Sequence, residues 1–180
     1  MVRGITVGVP AVLLGMLLQA ATLEKLSLAD MTQLSTAIVR ARVTGTYAAA
    51  QGSLIYTHYK LRVAERWKGA EASVLDIVVP GGTANGLRQT FSGTPTLIAG
   101  HEYVLFLWRG PSGRTHITGL SQGVFGLKST AHGQTVASRA ASAEVMLDSA
   151  GRPAHEDAIA FELSDLRHQV SRALAEGGRK

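Results

Sequence analysis

Residues 119–123, GLSQG, fit the G-x-S-x-G pattern that surrounds the nucleophile of many serine hydrolases. Asp148 and His155 follow Ser121 in the chain order that such an enzyme uses. That chemistry requires a strand, a strained turn and then a helix beneath the serine, whereas residues 124–127 have the pattern of a further strand. We therefore predict no catalytic residue and keep Ser121, Asp148 and His155 as the alternative catalytic set.

Metal and cofactor chemistry has no clear signal in the sequence. The chain has no cysteine, which excludes thiol catalysis and thiolate metal sites. None of its six histidines is separated from another by two or four positions, and none belongs to an H-E-x-x-H motif. Scattered histidines are typical of surfaces and strand ends, so we predict no metal site and no cofactor. The histidines are His58, His101, His116, His132, His155 and His168.

A row of cations follows two predicted strands, Ala37–Thr44 and Leu54–Lys68. Apolar and basic residues alternate along both, which is the period of a half-buried β-strand. If the strands pair as a hairpin, their cations share one face of the sheet. Such a face either keeps the sheet edge from aggregating or binds an acidic surface: an extracytoplasmic protein, an anionic glycan or anionic lipid headgroups. The predicted binding residues are Arg40, Arg42, Lys60, Arg62, Arg66 and Lys68.

Nucleic acid is not a predicted partner of this basic face. Proteins that bind single strands combine cations with aromatic side chains on which bases stack. Tyr59 and Trp67 fall on the opposite, core-facing side of their strand, so we expect the basic face to lack stacking rings.

Glu65 lies in the same inward register, between Val63 and Trp67. A buried carboxylate needs a partner, and we interpret Glu65 as structural rather than catalytic.

Two helices are predicted at the ends of the domain. Ser27 and Asp30 form a capping box that begins a short helix ending near Leu34. At the other end, Ser164 is predicted to cap a helix over residues 165–175, whose apolar residues recur at helical spacing.

Strand patterns fill the region between the two helices. Residues 103–108, YVLFLW, are apolar without alternation, as expected of a strand buried on both faces at the centre of the core. The strands follow one another without intervening helices, which indicates an antiparallel sheet, sandwich or small barrel.

Five segments of this region form one pattern: STAIVRARV at 35–43, YTH at 56–58, LRVAERWKG at 61–69, VPGG at 79–82 and GHEYVLFL at 100–107. This pattern resembles a group of small exported bacterial proteins and, more distantly, netrin-like domains, the OB-type barrel of tissue metalloproteinase inhibitors. The resemblance covers about Ser35 to Leu127 and implies the fold rather than an activity. Those inhibitors act through an N-terminal disulfide-bonded cysteine, and this chain has none, so no functional residue is carried over.

The first residues predict export. Arg3 precedes a run without ionisable side chains from Ile5 to Leu18, which suits the apolar core of a secretory signal and is shorter than the roughly 20 residues of a membrane span. The predicted signal peptide, residues 1–21, would leave a secreted or periplasmic product that does not span the membrane. The formal net charge of +5 for the whole chain is mildly basic and names no partner by itself.

These patterns together predict a mainly β protein, a small antiparallel OB-like (netrin-like) barrel of about five strands with a short N-terminal helix and a C-terminal helix. The predicted parts are a barrel domain with its leading helix at 22–127, a surface loop with a short edge strand at 128–163, a helix at 164–176 and a disordered tail at 177–180. The predicted function is an exported non-catalytic binding or inhibitory module. The alternatives are a small serine hydrolase using Ser121 and a structural envelope protein.

Overall fold

The computed structural model describes residues 23–69 and 71–178. The predicted signal peptide, at 1–21, lies outside the described residues, as does the end of the predicted tail, at 179–180. Within the described ranges, no helix is long and apolar enough to cross a membrane.

Strands dominate the described chain, with one helix near each end, which confirms the prediction of a mainly β fold with two helices. In chain order the elements are β1 Leu23–Glu24, α1 Leu28–Leu34, β2 Ala37–Gln51, β3 Leu54–Lys68, β4 Val74–Pro80, β5 Gly82–Ala84, β6 Leu87–Gln89, β7 Glu102–Arg109, β8 Thr115–Ile117, a 3-10 turn Leu120–Gly123, β9 Val124–Ser129, β10 Thr135–Arg139, β11 Ser142–Leu147, β12 Pro153–Glu156, β13 Ile159–Glu162 and α2 Leu163–Gly177.

Five of these strands form a closed ring. Going round it, β2 pairs with β3, β3 with β4, β4 with β8, β8 with β7, and β7 with β2 again. All neighbours are antiparallel except β4 and β8, which are parallel. Beyond β7 the same sheet continues through β9 and β10 to β13, while β1, β11 and β12 form a separate small sheet.

The sheet has an apolar cluster on each side. The ring interior is filled by side chains such as Leu61, Ile77 and Leu105. The outer side is covered by both helices, which pack on Phe106 and Phe125 among others. Strand β7 supplies residues to both clusters, as predicted for a strand buried on both faces, because successive side chains of a strand point to opposite sides.

The predicted first residues and caps of the two helices agree with the structure at α1 but not at α2. The capping box of α1 is confirmed: Asp30 donates its backbone N–H to Ser27 Oγ at 3.1 Å, and Ser27 donates its own to Asp30 Oδ2 at 3.2 Å. At α2 the helix begins at Leu163, two residues before the first residue, 165, of the helix predicted with Ser164 as its cap. Its N-cap is Glu162, without a side-chain capping bond, so Ser164 lies in the first turn instead. The reason is that β13 runs straight into the helix and leaves no room for a separate cap.

The segment predicted as a surface loop contains regular strands. β10 pairs with both β9 and β13, and its Ala137 is fully buried beneath α2. The small, polar residues of this segment show little hydrophobic alternation, so the sequence predicted a loop. Small side chains are what a strand needs where a helix packs closely on it. The segment 128–163 therefore belongs to the folded domain.

The pairing of β2 with β3 contains bulges that the predicted alternation did not include. One is at Thr44, since Val43 pairs with Leu61 and the next pair is Gly45 with Lys60. Others fall at Ala64 and Trp67. Each extra residue exchanges the sides to which the following side chains point.

Candidate functional site

Ser121 does not sit on a nucleophile elbow. It lies in the 3-10 turn, which leads into strand β9 rather than into a helix, so the strand–turn–helix arrangement of that motif is not formed here. Its hydroxyl has no hydrogen-bond partner among the described residues. The Asp148 carboxylate is occupied by its own turn and accepts from Arg152 Nε at 2.8 Å. His155 is exposed on β12, and no hydrogen bond joins it to Ser121 in the described chain.

Ser121 does line a polar cleft of about 500 Å³. Thr94, Arg139 and Glu144 also line it, and no histidine does. Arg139 is buried, donates to the carbonyl of Gln122, and lies over the Phe125 ring at 5.0 Å. The cleft can hydrogen-bond a polar molecule, but it holds no imidazole to activate the serine.

Three of the predicted binding cations are engaged with acidic or carbonyl groups on the outer side of the sheet. Arg40 bonds to Glu65 and to Glu102, each at 2.9 Å. Arg42 shares Glu102 at 3.0 Å and also donates to the Gly100 carbonyl. The hydrogen bond from Arg40 is the main reason that the pKa of Glu102 lies below its usual value. The third cation, Lys68, donates to the Thr32 and Gln33 carbonyls at the end of α1, and burial lowers its pKa.

Glu65 corrects the predicted register. The bulge at Ala64 places it opposite Arg40 on the outer side, rather than inward with Val63. There it also pairs with Arg167 of α2 and accepts from Trp67 Nε1 at 3.3 Å. Trp67 likewise packs in the outer cluster rather than in the ring interior. We call Arg40, Arg42, Glu65, Glu102 and Arg167 the ion-pair cluster; it ties α2 to three strands, so Glu65 has the structural role predicted for it.

The other three predicted cations differ in availability. Arg66 pairs across from Val39, whose side chain is in the ring interior, so Arg66 does not share the face of Arg40. It contacts the Ala72 carbonyl and Glu71. Lys60 and Arg62 are exposed, and neither donates a side-chain hydrogen bond to another described residue. Only these two of the six predicted cations are therefore free to meet an external ligand.

Beside Lys60 the outer side of the ring carries five aromatic side chains in two contact groups. Tyr47 and His58 stack with ring centroids 4.4 Å apart. Trp108 and His116 stack at 4.9 Å, and Tyr56 meets His116 edge-on at 6.4 Å. Tyr47 and Trp108 are 46% and 38% exposed, so solvent or a ligand can reach both rings. We call these five residues the aromatic face.

Pairing across all five ring strands relates the members of the aromatic face, which come from four of those strands. His58 lies opposite Tyr47 on β2 and opposite Val78 on β4. Val78 in turn pairs with His116 on β8, which pairs with Trp108 on β7. Directly paired residues project to the same side of a sheet, so these rings all lie on the outer side, with Val78 between His58 and His116. Tyr56 joins them because it is two positions before His58 on β3.

Charged groups border the aromatic face. Lys60 Nζ lies 5.9 Å from the centre of the Tyr47 ring, and the Arg114 guanidinium lies 5.1 Å from that of Tyr56. Asp76 bonds His58 Nδ1 at 2.9 Å and accepts from the Tyr47 hydroxyl at 3.3 Å. The surface therefore offers exposed rings, two cations and one partly exposed carboxylate.

Two pKa shifts follow from these contacts. Burial, and secondarily the Arg114 cation, lowers the pKa of His116, so this ring is neutral at pH 7. Partial desolvation and the neighbouring Asp76 carboxylate raise the pKa of the Tyr47 hydroxyl above its ordinary value of 10.0.

Sequence reasoning missed the aromatic face. It placed Tyr59 in the interior, where the structure also has it, and from this inferred that the basic face lacks stacking rings. The bulge at Thr44 is what places Tyr47 on the outer side, and no residue type at that position signals it. The available signal was the position of Tyr56 and His58 in the same alternating register as Lys60.

Among residues 23–69 and 71–178, no group of three or more metal-binding side chains could hold an ion. No family model, curated protein or solved structure matches this chain.

Proposed function

We propose that this protein is an exported, non-catalytic binding module whose ligand lies on the aromatic face and its bordering cations. The single observation that carries the proposal is the group of five aromatic side chains on the outer side of the ring, with Tyr47 and Trp108 exposed and Lys60 and Arg114 beside them. Monomeric proteins rarely leave large rings together in solvent unless they contact a partner there. Such a surface can bind a ligand without any catalytic group.

The strand arrangement supports an OB-like, netrin-like barrel. The first three ring strands, β2, β3 and β4, are consecutive antiparallel neighbours, and the fourth, β7, returns beside β2. That is the spatial order 4-1-2-3 of a Greek key. OB-type barrels are five-stranded Greek-key barrels that bind ligands on the face of their second and third strands. Here those strands are β3 and β4, which carry Tyr56, His58 and Asp76.

The charge around the face favours an anionic partner. Lys60 and Arg62 are exposed on β3, and Arg114 adds a third cation next to Tyr56. The remaining predicted cations, by contrast, already have partners in the fold. The negative charges of an acidic glycan, protein or lipid surface would complement these unpaired cations on the outer side of the sheet.

Retention of residues 22–180 on a heparin column tests the proposal. The probe is polyanionic, and we expect elution to require more salt for the unmodified protein than for a Lys60→Ala/Arg62→Ala variant. The matched control is Arg88→Ala/Arg172→Ala, which removes two exposed cations elsewhere. Equal losses in both double variants would show that only net charge matters and would contradict the proposal.

A serine hydrolase is the competing function, supported only by the cleft around Ser121. Esterase or peptidase activity that disappears in Ser121→Ala would establish it. The absence of an imidazole in the cleft wall leads us to expect no such activity.

A further inference from the structure

We infer that the ligand of the aromatic face is an acidic polysaccharide, a chain of carboxylated pyranose rings held by ring stacking as well as by charge. This inference rests on the proposed function and specifies its ligand class. It follows from three features of the face: the geometry of the rings, the position of the cations and the presence of Asp76.

The rings are held in place before any ligand arrives. Tyr47 and His58 stack nearly parallel, with an angle of 11° between their planes, and Trp108 and His116 stack with 24° between theirs. Asp76 fixes the pair of Tyr47 and His58 through hydrogen bonds to both. Flat apolar surfaces held this rigidly suit the C–H faces of pyranose rings, because little side-chain entropy is lost on contact.

The cations stand beside the rings. Lys60 and Arg114 contact the Tyr47 and Tyr56 rings, so their charges sit close to whatever stacks there. A carboxylate carried on a pyranose ring would meet a cation while the ring itself meets an aromatic side chain. His116 is neutral at pH 7, so this ring adds no charge of its own between the cations.

Asp76 distinguishes a glycan from the other anions. Its side chain is 44% exposed and lies in the pairing register opposite Lys60. Each carboxylate oxygen has two acceptor positions, so the bonds to His58 and Tyr47 leave capacity for a further donor. Sugar hydroxyls can donate to this remaining acceptor position, whereas an ionised phosphodiester or an acidic peptide side chain has no donor to offer it.

A matched pair of ligands tests the inference. Hexagalacturonate and hexaglutamate each carry six side carboxylates in a short chain, and only the first has pyranose rings. Titration calorimetry on residues 22–180 is expected to give hexagalacturonate an affinity at least about tenfold higher. The variant Trp108→Leu keeps an apolar side chain but removes a stacking ring, and we expect it to lose about fivefold in affinity for hexagalacturonate. Tyr47→Leu is a second variant on the other ring pair.

The control is Phe91→Leu, since Phe91 is an aromatic residue with 42% exposure outside the aromatic face. It should leave both affinities unchanged. Equal binding of hexagalacturonate and hexaglutamate would overturn the glycan inference and leave the proposed binding module intact. Tighter binding of the single strand dT6 than of hexagalacturonate would overturn it in favour of nucleic acid. If none of these ligands binds and the protein is not retained on the heparin column, both proposals fail.

Discussion

The ion-pair cluster and the aromatic face lie on the same outer side of one sheet and use their charges differently. In the ion-pair cluster, each cation meets a carboxylate, and Arg167 brings α2 into the arrangement. On the aromatic face, Lys60 and Arg114 contact rings rather than acids. The cations of the ion-pair cluster are therefore paired within the fold, whereas those of the aromatic face remain available to a partner.

This difference shows that an alternating row of cations does not by itself predict which of them can bind an external ligand. Arg40 and Lys60 look equivalent in the alternating pattern of their strands. Arg40 is neutralised because Glu102, distant in sequence, begins the neighbouring strand β7. Lys60 lies opposite Asp76 in the pairing register, but among the described residues no ion pair joins the two.

Truncating one cation in each region should give the largest contrast. Arg40→Met leaves Glu65 and Glu102 short of a partner in a half-buried setting, and we expect a loss of about 2–3 kcal/mol in the free energy of unfolding. Lys60→Met removes an exposed charge and should change it by less than about 0.5 kcal/mol. Urea denaturation measures both. Equal losses would mean that the two regions do not differ in the way described.

A smaller loss is expected on the acidic side of the cluster. Glu65→Ala removes the acceptor shared by Arg40, Arg167 and Trp67, and should cost about 1–2 kcal/mol of unfolding free energy. Glu71→Ala is the control, because Glu71 is 96% exposed and its contact with Arg66 is 3.7 Å long. That variant should cost less than about 0.5 kcal/mol. Retention on heparin should not fall in either, and a fall in Glu65→Ala would place Glu65 in the binding surface instead.

Acid should weaken the ion-pair cluster through Glu102. Its folded-state pKa lies below the ordinary value of 4.5, so its stabilising contribution is complete well above pH 4.5 and is lost as the pH falls through the folded-state pKa. Glu102→Gln cannot titrate, and its unfolding free energy should vary less with pH over that acidic range. Chemical denaturation at several pH values measures the two slopes. Identical slopes would contradict the assignment.

The smallest effect concerns His116 on the aromatic face. Its pKa is lowered mainly by burial and in part by Arg114, so the folded protein binds this proton less readily than the unfolded chain. Stability should therefore decline slightly as the pH falls below 6.5. In NMR titrations, Arg114→Ala should raise the pKa of His116 without restoring its ordinary value, because burial remains. No change on removing Arg114 would show that the two groups are not coupled.

The sequence predicted those parts of the fold that depend on local pattern. The capping box at Ser27 and the doubly buried strand β7 could be inferred because residue type and spacing determine them. The bulges of the hairpin could not, since an extra residue in a strand is fixed by the pairing of distant segments. The aromatic face depends on such distant pairing at two places. The bulge at Thr44 places Tyr47 on the outer side, and the pairing of β7 with β8 brings His116 next to Trp108.

The ring is closed between β4 and β8 by only two pairs of residues, Ile77 with Thr115 and Val78 with His116. Such a short seam is a natural place for local opening, and it runs through the aromatic face. A molecule resting on His116 and on a residue of β3 would bridge the seam and hold it shut. Occupancy would then slow hydrogen exchange at the amides of residues 115–117, so those amides would report binding without any label on the ligand.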